Sequence, residues 1–394
     1  MQDLEQFREA TRTWLLANAP QSMFAPVRST EDLCWGGRKT KYPADVQRWL
    51  NVMAERGWTA PTWPREYGGG SLGKAEAKVL SQEIAKLRLR APLVGFGLTM
   101  IGPLLLQEAN EELKRIHLPP IVRGEVRWCQ GYSEPGAGSD LAGLQTRAVL
   151  DGDDFIITGQ KIWTSYADKA DWMFLLVRTD PNARKQDGIT FILLDMGSPG
   201  VSVKPIRLIS GASPFCETFL DGVRVPRSQV VGQVNGGWAI AKALLGHERT
   251  MIADAFKDLV PGNPLLDAAR RYLPASEGRI SDPILRDRIV QAEMDQKCLD
   301  LTLKRSQDNT RAGHKPGPEA SIVKYYGTEA NMRRRELMVS IAGPQGLGWE
   351  GCSFEAEDLS LTRDWLRSRG NSIEGGTSEI QLNIIAKRVL GLPD

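Results

Sequence analysis

Two stretches of this chain bring together residue types that can do chemistry. The first is WCQGYSEPGAGSDLAGLQT (128–146), which sets glycines and hydroxyls between two β-type segments. Gly136, Gly138 and Ser139 let backbone amides approach a phosphate closely, and the hydroxyls add donors. The spacing is not GxGxxG, because Leu141 stands where the third glycine is required, so a Rossmann loop is a poor reading. On composition alone a turn-rich connector is the better explanation. The second stretch is GWAIAKALLGHERTMIADAF, starting at Gly237, whose apolar stripe runs Ala241, Leu244, Leu245, Met251, Ile252, Ala255. Glu248 falls inside that stripe. A carboxylate on an apolar helix face is paired, functional or at an edge. A carboxylate that is to serve as a general base needs a raised pKa, which desolvation in an apolar pocket supplies. The competing reading is an ion pair with Arg249 or another basic residue.

The elements that must position these residues fall into three blocks. Residues 1–127 read as helical, from DLEQFREATRTWLLANAP through GPLLLQEANEELKRIHLPPI. The Pro- and Gly-rich loop TAPTWPREYGGG interrupts them. Residues 128–236 turn β-branched and aromatic, in DDFIITGQKIWTS, ADWMFLLVRTD, GITFILLDM, VSVKPIRLI and CETFLDGVRVP. Helical periodicity returns over 237–394, with long helices expected near 237–260, 284–312 and 318–342 and a shorter one from Thr377. The fold class is α+β: a mostly antiparallel β domain between an N-terminal helical domain and a C-terminal helical bundle.

Composition narrows the function. At 394 residues with 50 basic and 48 acidic side chains, the net charge of +2 argues against a nucleic-acid binder. The apolar runs are too short for a membrane span, and the amphipathic, early-acidic N-terminus is not a signal peptide. Five scattered cysteines without CxxC read as cytosolic thiols, so a cytoplasmic location is expected. Three histidines make a His-based metal centre a poor prospect, and no metal is expected.

YSEPGAGSD followed by GQKIWTSYADKADWMFLLVRTD resembles the acyl-CoA dehydrogenase family. GWTAPTWPREYGG, FLDGVRVP (likened to the edge of the family's β domain) and EGGTSEIQLNIIAKRVLGLP extend the likeness over nearly the whole chain. The GGTSEIQ and VLGLP variant resembles bacterial members that act on CoA thioesters in lipid, sterol or dicarboxylate breakdown. The resemblance implies FAD as cofactor, acyl-CoA as substrate, and electron-transferring flavoprotein as acceptor. It also implies a homo-oligomer, or a hetero-oligomer with a related subunit. Gln130 and Ser133 match flavin-ring contacts. Gly138 and Ser139 match contacts to the diphosphate or the CoA arm. Trp163 and Ser165 match the stacked tryptophan and the ring-bonding hydroxyl, and Thr377 and Glu379 match C-terminal cofactor contacts. Ser139, Arg249 and Gly375 are the expected substrate contacts. Taken alone, Trp163 would be a core aromatic on a strand.

The resemblance also raises a question about the base. In NSIEGGTSEIQ the family's carboxylate position is Gly375. Glu374 is one residue off. GHERT resembles the place where other family members carry the base, opposite a small residue at the C-terminal position. Glu248 is therefore expected to be the base, and Gly375 to keep its N–H for the thioester oxygen while freeing room for a branched or cyclic acyl chain. The second glycine-rich signature is only partly matched, by Gln345, Gly346 and Gly348. AARRYLPASEG is looser than the family's arginine turn, and either Arg270 or Arg271 could reach a neighbouring pyrophosphate. A catalytically incomplete subunit of a heteromeric dehydrogenase is the alternative reading; a flavin oxidase or monooxygenase on the same fold is a third.

Overall fold

The computed structural model describes residues 2–27, 30–244, 264–313, 317–351 and 353–393. These form two compact units. One contains residues 1–206 and 214–247, the other residues 207–213 and 248–394.

The first unit begins with helices α1 (Gln2–Asn18), α2 (Ala44–Glu55) and α3 (Lys74–Lys86). Their apolar faces meet around Leu15, Trp49, Met53, Trp58 and Leu80, all buried. Charge also ties α1 to α3. Arg8 donates to Glu83 at 2.8 Å, and Arg12 does so at 3.3 Å. The loop after α2 is tight: a Cβ on Gly57 (φ +70°) would come within 2.5 Å of the Gly69–Gly70 backbone, so only glycine fits. The run 102–122 divides into α4 (Gly102–Glu108) and α5 (Glu111–Val122). The break falls where Asn110 caps α5, its side chain accepting from Leu113 N at 2.9 Å.

A seven-stranded sheet follows, made of β1 (Trp128–Gly131), β2 (Arg147–Asp151), β3 (Asp154–Ser165), β4 (Trp172–Arg178), β5 (Ile189–Asp195), β6 (Val201–Ile206) and β7 (Phe215–Pro226). The order is β1-β4-β2-β3-β7-β6, with β5 on the other side of β4. Four pairings are antiparallel; β1 with β4 and β2 with β4 are parallel. FLDGVRVP forms the end of β7, which lies between β3 and β6. One face of the sheet buries Cys129, Ile157, Met173, Leu175, Ile192 and Val223. On β1, alternation turns Trp128 away from that face and stacks it on Trp172, centroids 5.6 Å apart. Helical structure resumes as α6, described over 237–244.

The second unit holds α7 (Pro264–Tyr272), α8 (Pro283–Arg311), α9 (Ala320–Ala342), α10 (Ala356–Ser368) and α11 (Ser378–Ile384). AARRYLPASEG is the end of α7 running into a small β-hairpin, Ala275–Ser276 with Arg279–Ile280. Leu265, Ala268, Ala269, Ile289, Leu337 and Ile341 form a buried cluster in this unit.

Candidate functional site

The Gly–Ser loop is bolted from beneath by a buried ion pair. Lys161, wholly buried on β3, donates to Glu134 Oε1 at 2.7 Å and to the Tyr132 carbonyl at 3.2 Å. Glu134 also accepts from the backbone N–H of Gln145 at 2.6 Å and of Thr146 at 2.9 Å. One carboxylate thus ties both ends of the loop to the sheet. Burial pushes the Lys161 ammonium down to about 8, against the pull of Glu134. Burial opposes ionisation of Glu134 too, but Lys161 and the N–H donors outweigh it and hold its pKa below the usual range. Arg178 fixes the far side, donating to the Ala142 and Lys185 carbonyls, each at 2.6 Å.

Above these anchors the loop is open. Glu134 and Ala137 exchange backbone hydrogen bonds of 3.1 and 3.0 Å around Pro135–Gly136. A Cβ added at Gly136 or Gly138 would meet nothing within 4 Å. Neither glycine is demanded by the chain's own packing, so the space over them is free for a ligand to reach the backbone. Gly138 and Ser139 are exposed, and Gln130 and Ser133 are half-buried.

Ser133 lies beside the next element. Its carbonyl accepts from Ile162 N at 2.9 Å, one residue before Trp163. The β3–β7 register shifts between Lys161 and Thr164. Inside that bulge Trp163 takes φ +60°, unusual for a bulky residue. Its ring is 53% exposed and meets Phe215 edge-on at 6.1 Å. The core-aromatic reading of Trp163 fails here, because the bulge turns the ring out of the sheet. Ser165 ends β3 opposite Phe215.

In the second unit, Gly375 sits at φ +66° and Gly376 at +92°, a left-handed turn before α11. Lys324 is buried and donates to the Asn371 and Gly376 carbonyls at 3.0 and 2.6 Å. Gln381 Nε2 donates to the Gly375 carbonyl at 3.1 Å. Thr377 caps α11, accepting from Ile380 N at 3.3 Å, and Glu379 stands in the first turn. Glu374 is engaged elsewhere, accepting from Arg367 at 2.7 Å and Asn371 at 2.5 Å. Arg271 pairs with Glu357 and, at 3.3 Å, with Asp358, whereas Arg270 is exposed with a 3.6 Å pair to Asp267. Glu248 and Arg249 lie outside the described residues.

Sequence reasoning passed over Glu134, Lys161, Arg178 and Lys324. A lysine between two apolar stretches of β3, in ITGQKIWT, was the available signal for Lys161.

Models of the acyl-CoA dehydrogenase N-terminal, middle and C-terminal domains match residues 2–125, 129–223 and 235–390. The chain belongs to the acyl-CoA dehydrogenase family. It is accordingly an oxidoreductase of that family. The acyl-CoA dehydrogenase IpdE1 of Mycobacterium tuberculosis (strain ATCC 25618 / H37Rv) is 34% identical over 396 residues, covering 100% of this chain and 99% of its own. Among solved structures, the Tcur3481-Tcur3483 steroid ACAD is 29% identical with a TM-score of 0.76, covering 100% of this chain and 98% of its own. The ChsE4-ChsE5 complex from Mycobacterium tuberculosis is 26% identical with a TM-score of 0.75, covering 100% of this chain and 98% of its own. Among the described residues, no helix of this acyl-CoA dehydrogenase is long and apolar enough to cross a membrane.

Proposed function

We propose that this chain is an FAD-dependent dehydrogenase that introduces a double bond between the α and β carbons of a bulky, steroid-derived acyl-CoA. The observation that carries the reading is the open glycine cradle of 136–139 held over the Glu134–Lys161 pair, beside the outward-turned Trp163. These residues fit a flavin nucleotide. Gly138 and Ser139 would meet its diphosphate, and Gln130, Ser133, Trp163 and Ser165 its ring. Thr377 and Glu379 would add contacts from the α11 cap. FAD, when bound, supplies the acceptor for the β-hydride.

Glu248 is the proposed base, taking the α-proton onto its carboxylate. The N–H of Gly375 would donate to the thioester oxygen as enolate charge develops, which is where such a bond gains most. Arg249 and Ser139 would bind the CoA portion. Glu374 is a poor base because Arg367 and Asn371 already hold its carboxylate. The steroid class is borrowed from the name of the Tcur3481-Tcur3483 relative. Electron-transferring flavoprotein is the proposed acceptor, and a cytoplasmic location the proposed setting. Among Arg270 and Arg271, Arg270 is the one proposed to reach a neighbouring subunit, since Arg271 is committed to α10.

A second reading has its own support. The ChsE4-ChsE5 relative is a two-component complex, so this chain is alternatively one subunit of a heteromer that binds FAD and acyl-CoA but is incomplete alone. One experiment separates them. Protein purified alone, and with a related partner chain, is denatured and its supernatant assayed for FAD; each sample is then titrated anaerobically with acyl-CoA. Bleaching by the chain alone supports the first reading, and bleaching only with the partner supports the second. NAD, or no nucleotide in either sample, sinks both. Glu248→Gln should keep FAD and slow bleaching by at least ~10²-fold, whereas Glu374→Gln should not.

A further inference from the structure

The glycine turn before α11 is held by two buried polar side chains that stability alone does not call for. Gln381, on α11, is 3% exposed. Its Nε2 donates to the Gly375 carbonyl, but its Oε1 is buried and has no hydrogen-bond partner. An unpaired buried acceptor destabilises, and a methionine of similar length would fill the same space without one. Lys324, on α9, is also 3% exposed, and it reaches the Asn371 and Gly376 carbonyls rather than a carboxylate. Burial lowers its pKa against the through-space pull of Glu374, Glu329 and Glu379.

Both side chains act on the carbonyls of the turn. Gly375 (φ +66°) and Gly376 (φ +92°) are consecutive left-handed glycines, whose own sterics leave the direction of each peptide open. A peptide is planar and trans, so holding a carbonyl also holds the N–H on the far side of the same plane. Gln381 holds the peptide after Gly375, and Lys324 the one after Gly376. The fit at the amide is close: a Cβ on Gly376 would come within 2.5 Å of Gln381 Nε2. The chain before Gly375 is fixed separately. Glu374 N–H donates to the Gly370 carbonyl at 3.0 Å. Its carboxylate is held by Arg367 and by Asn371, which Asn331 of α9 braces at 2.8 Å. The Gly375 N–H is thus bracketed on both sides, and among the described residues nothing accepts a hydrogen bond from it.

We infer that Gln381 is a positioning residue for the proposed reaction: through the Gly375 carbonyl it keeps the Gly375 N–H aimed at the thioester oxygen, with Lys324 as a second clamp on the same turn. This rests on the proposed dehydrogenase reading, in which that N–H takes up developing enolate charge. Gln381 acts through the Gly375 backbone and not on the substrate itself. The need for such a clamp is quantitative, because a reacting group misplaced by about 1 Å loses on the order of 10²-fold in rate.

The test uses acetoacetyl-CoA, a thioester whose enolate absorbs in the near ultraviolet and forms without any hydride transfer. Full-length protein in excess FAD, with its partner chain where FAD retention requires one, is saturated with this probe at one fixed pH, and the enolate-to-keto ratio is read. The unaltered protein should hold the probe more enolised than buffer does. Gln381→Met should lower the ratio by at least ~10-fold. Its FAD content and melting temperature should stay near those of the unaltered protein, because the substitution removes an unpaired acceptor together with the bond. Gln381→Leu, a second variant without the donor, should behave alike. Lys324→Met should also lower the ratio, and Lys324→Arg, which still donates to carbonyls, should retain most of it; a ratio that Lys324→Met leaves unchanged removes the second clamp. A purely structural Gln381 would give the opposite split, a lower melting temperature with the ratio kept. Equal enolisation by Gln381→Met and the unaltered protein overturns the inference and leaves the dehydrogenase reading standing. A probe no more enolised on the unaltered protein than in buffer overturns the oxyanion role of Gly375, and the inference with it.

Discussion

Glu134 and Lys161 show what one buried pair does for a ligand loop. Each needs the other, because a lone charge at this depth has no route to water. Lys161→Met should therefore destabilise the protein by about 3–5 kcal/mol, since it strands the Glu134 carboxylate. Thermal unfolding with and without added FAD would measure this; an unchanged melting temperature would remove the pair from the account. The pH dependence has a definite sign. Glu134 has a folded pKa below its ordinary 4.5, so its contribution is complete above that value. It is lost as pH falls through the lower folded value. Acid titration of stability should show that loss, and Glu134→Gln should not.

Among the elements, the turn before α11 is the most constrained. Gly375 at φ +66° lies in a region that costs a side-chain-bearing residue ~1–2 kcal/mol. Gly375→Ala should lower stability by about that amount, while Gly375→Glu should add to it rather than simply restore a carboxylate. Differential scanning calorimetry reads the first effect, and activity in a Glu248→Gly background reads whether the new carboxylate reaches the substrate. Lys324 holds the same turn from α9 through two carbonyls. Its replacement by Met should lower stability and weaken FAD retention together. Loss of stability alone would confine Lys324 to a structural role. At the β3 bulge, Trp163→Phe leaves the fold intact in expectation but alters the visible spectrum of any bound flavin, because the ring is exposed and carries little of the core.

At the scale of the whole molecule, α8 bears Ile284, Val290, Met294 and Leu301 exposed. Large apolar side chains on one long helix are costly to leave in water. The chain is expected to assemble, with itself or with a related subunit, and light scattering should give at least a dimer. Val290→Asp with Met294→Asp should shift that equilibrium toward monomer. A flavin-loaded, active monomer of the unaltered chain would contradict the expectation.

The helices α8 and α9 and the strands β3 to β7 were legible in the sequence because their signals are local: period, β-branching, and turn residues at the boundaries. The Gly–Ser loop and the aromatic strand beside it were legible as a family pattern, not as chemistry, since composition alone favoured a connector. Helix α7 was hidden because it is only nine residues long and opens directly after the turn-rich run Pro261–Gly262–Asn263, and α10 because its charged face dominates the stretch. The two parallel pairings of β4 were invisible, because pairing direction depends on which strands meet rather than on what each contains. The same limit explains the site. Which glycines have open space above them is a property of neighbours far away in the chain. So is the turning-out of Trp163 by a bulge, and the burial of Lys161 against a carboxylate 27 positions away. Residue types set what chemistry is possible here; desolvation and packing, which only tertiary structure decides, select which charges are buried and paired, as Lys161 is with Glu134.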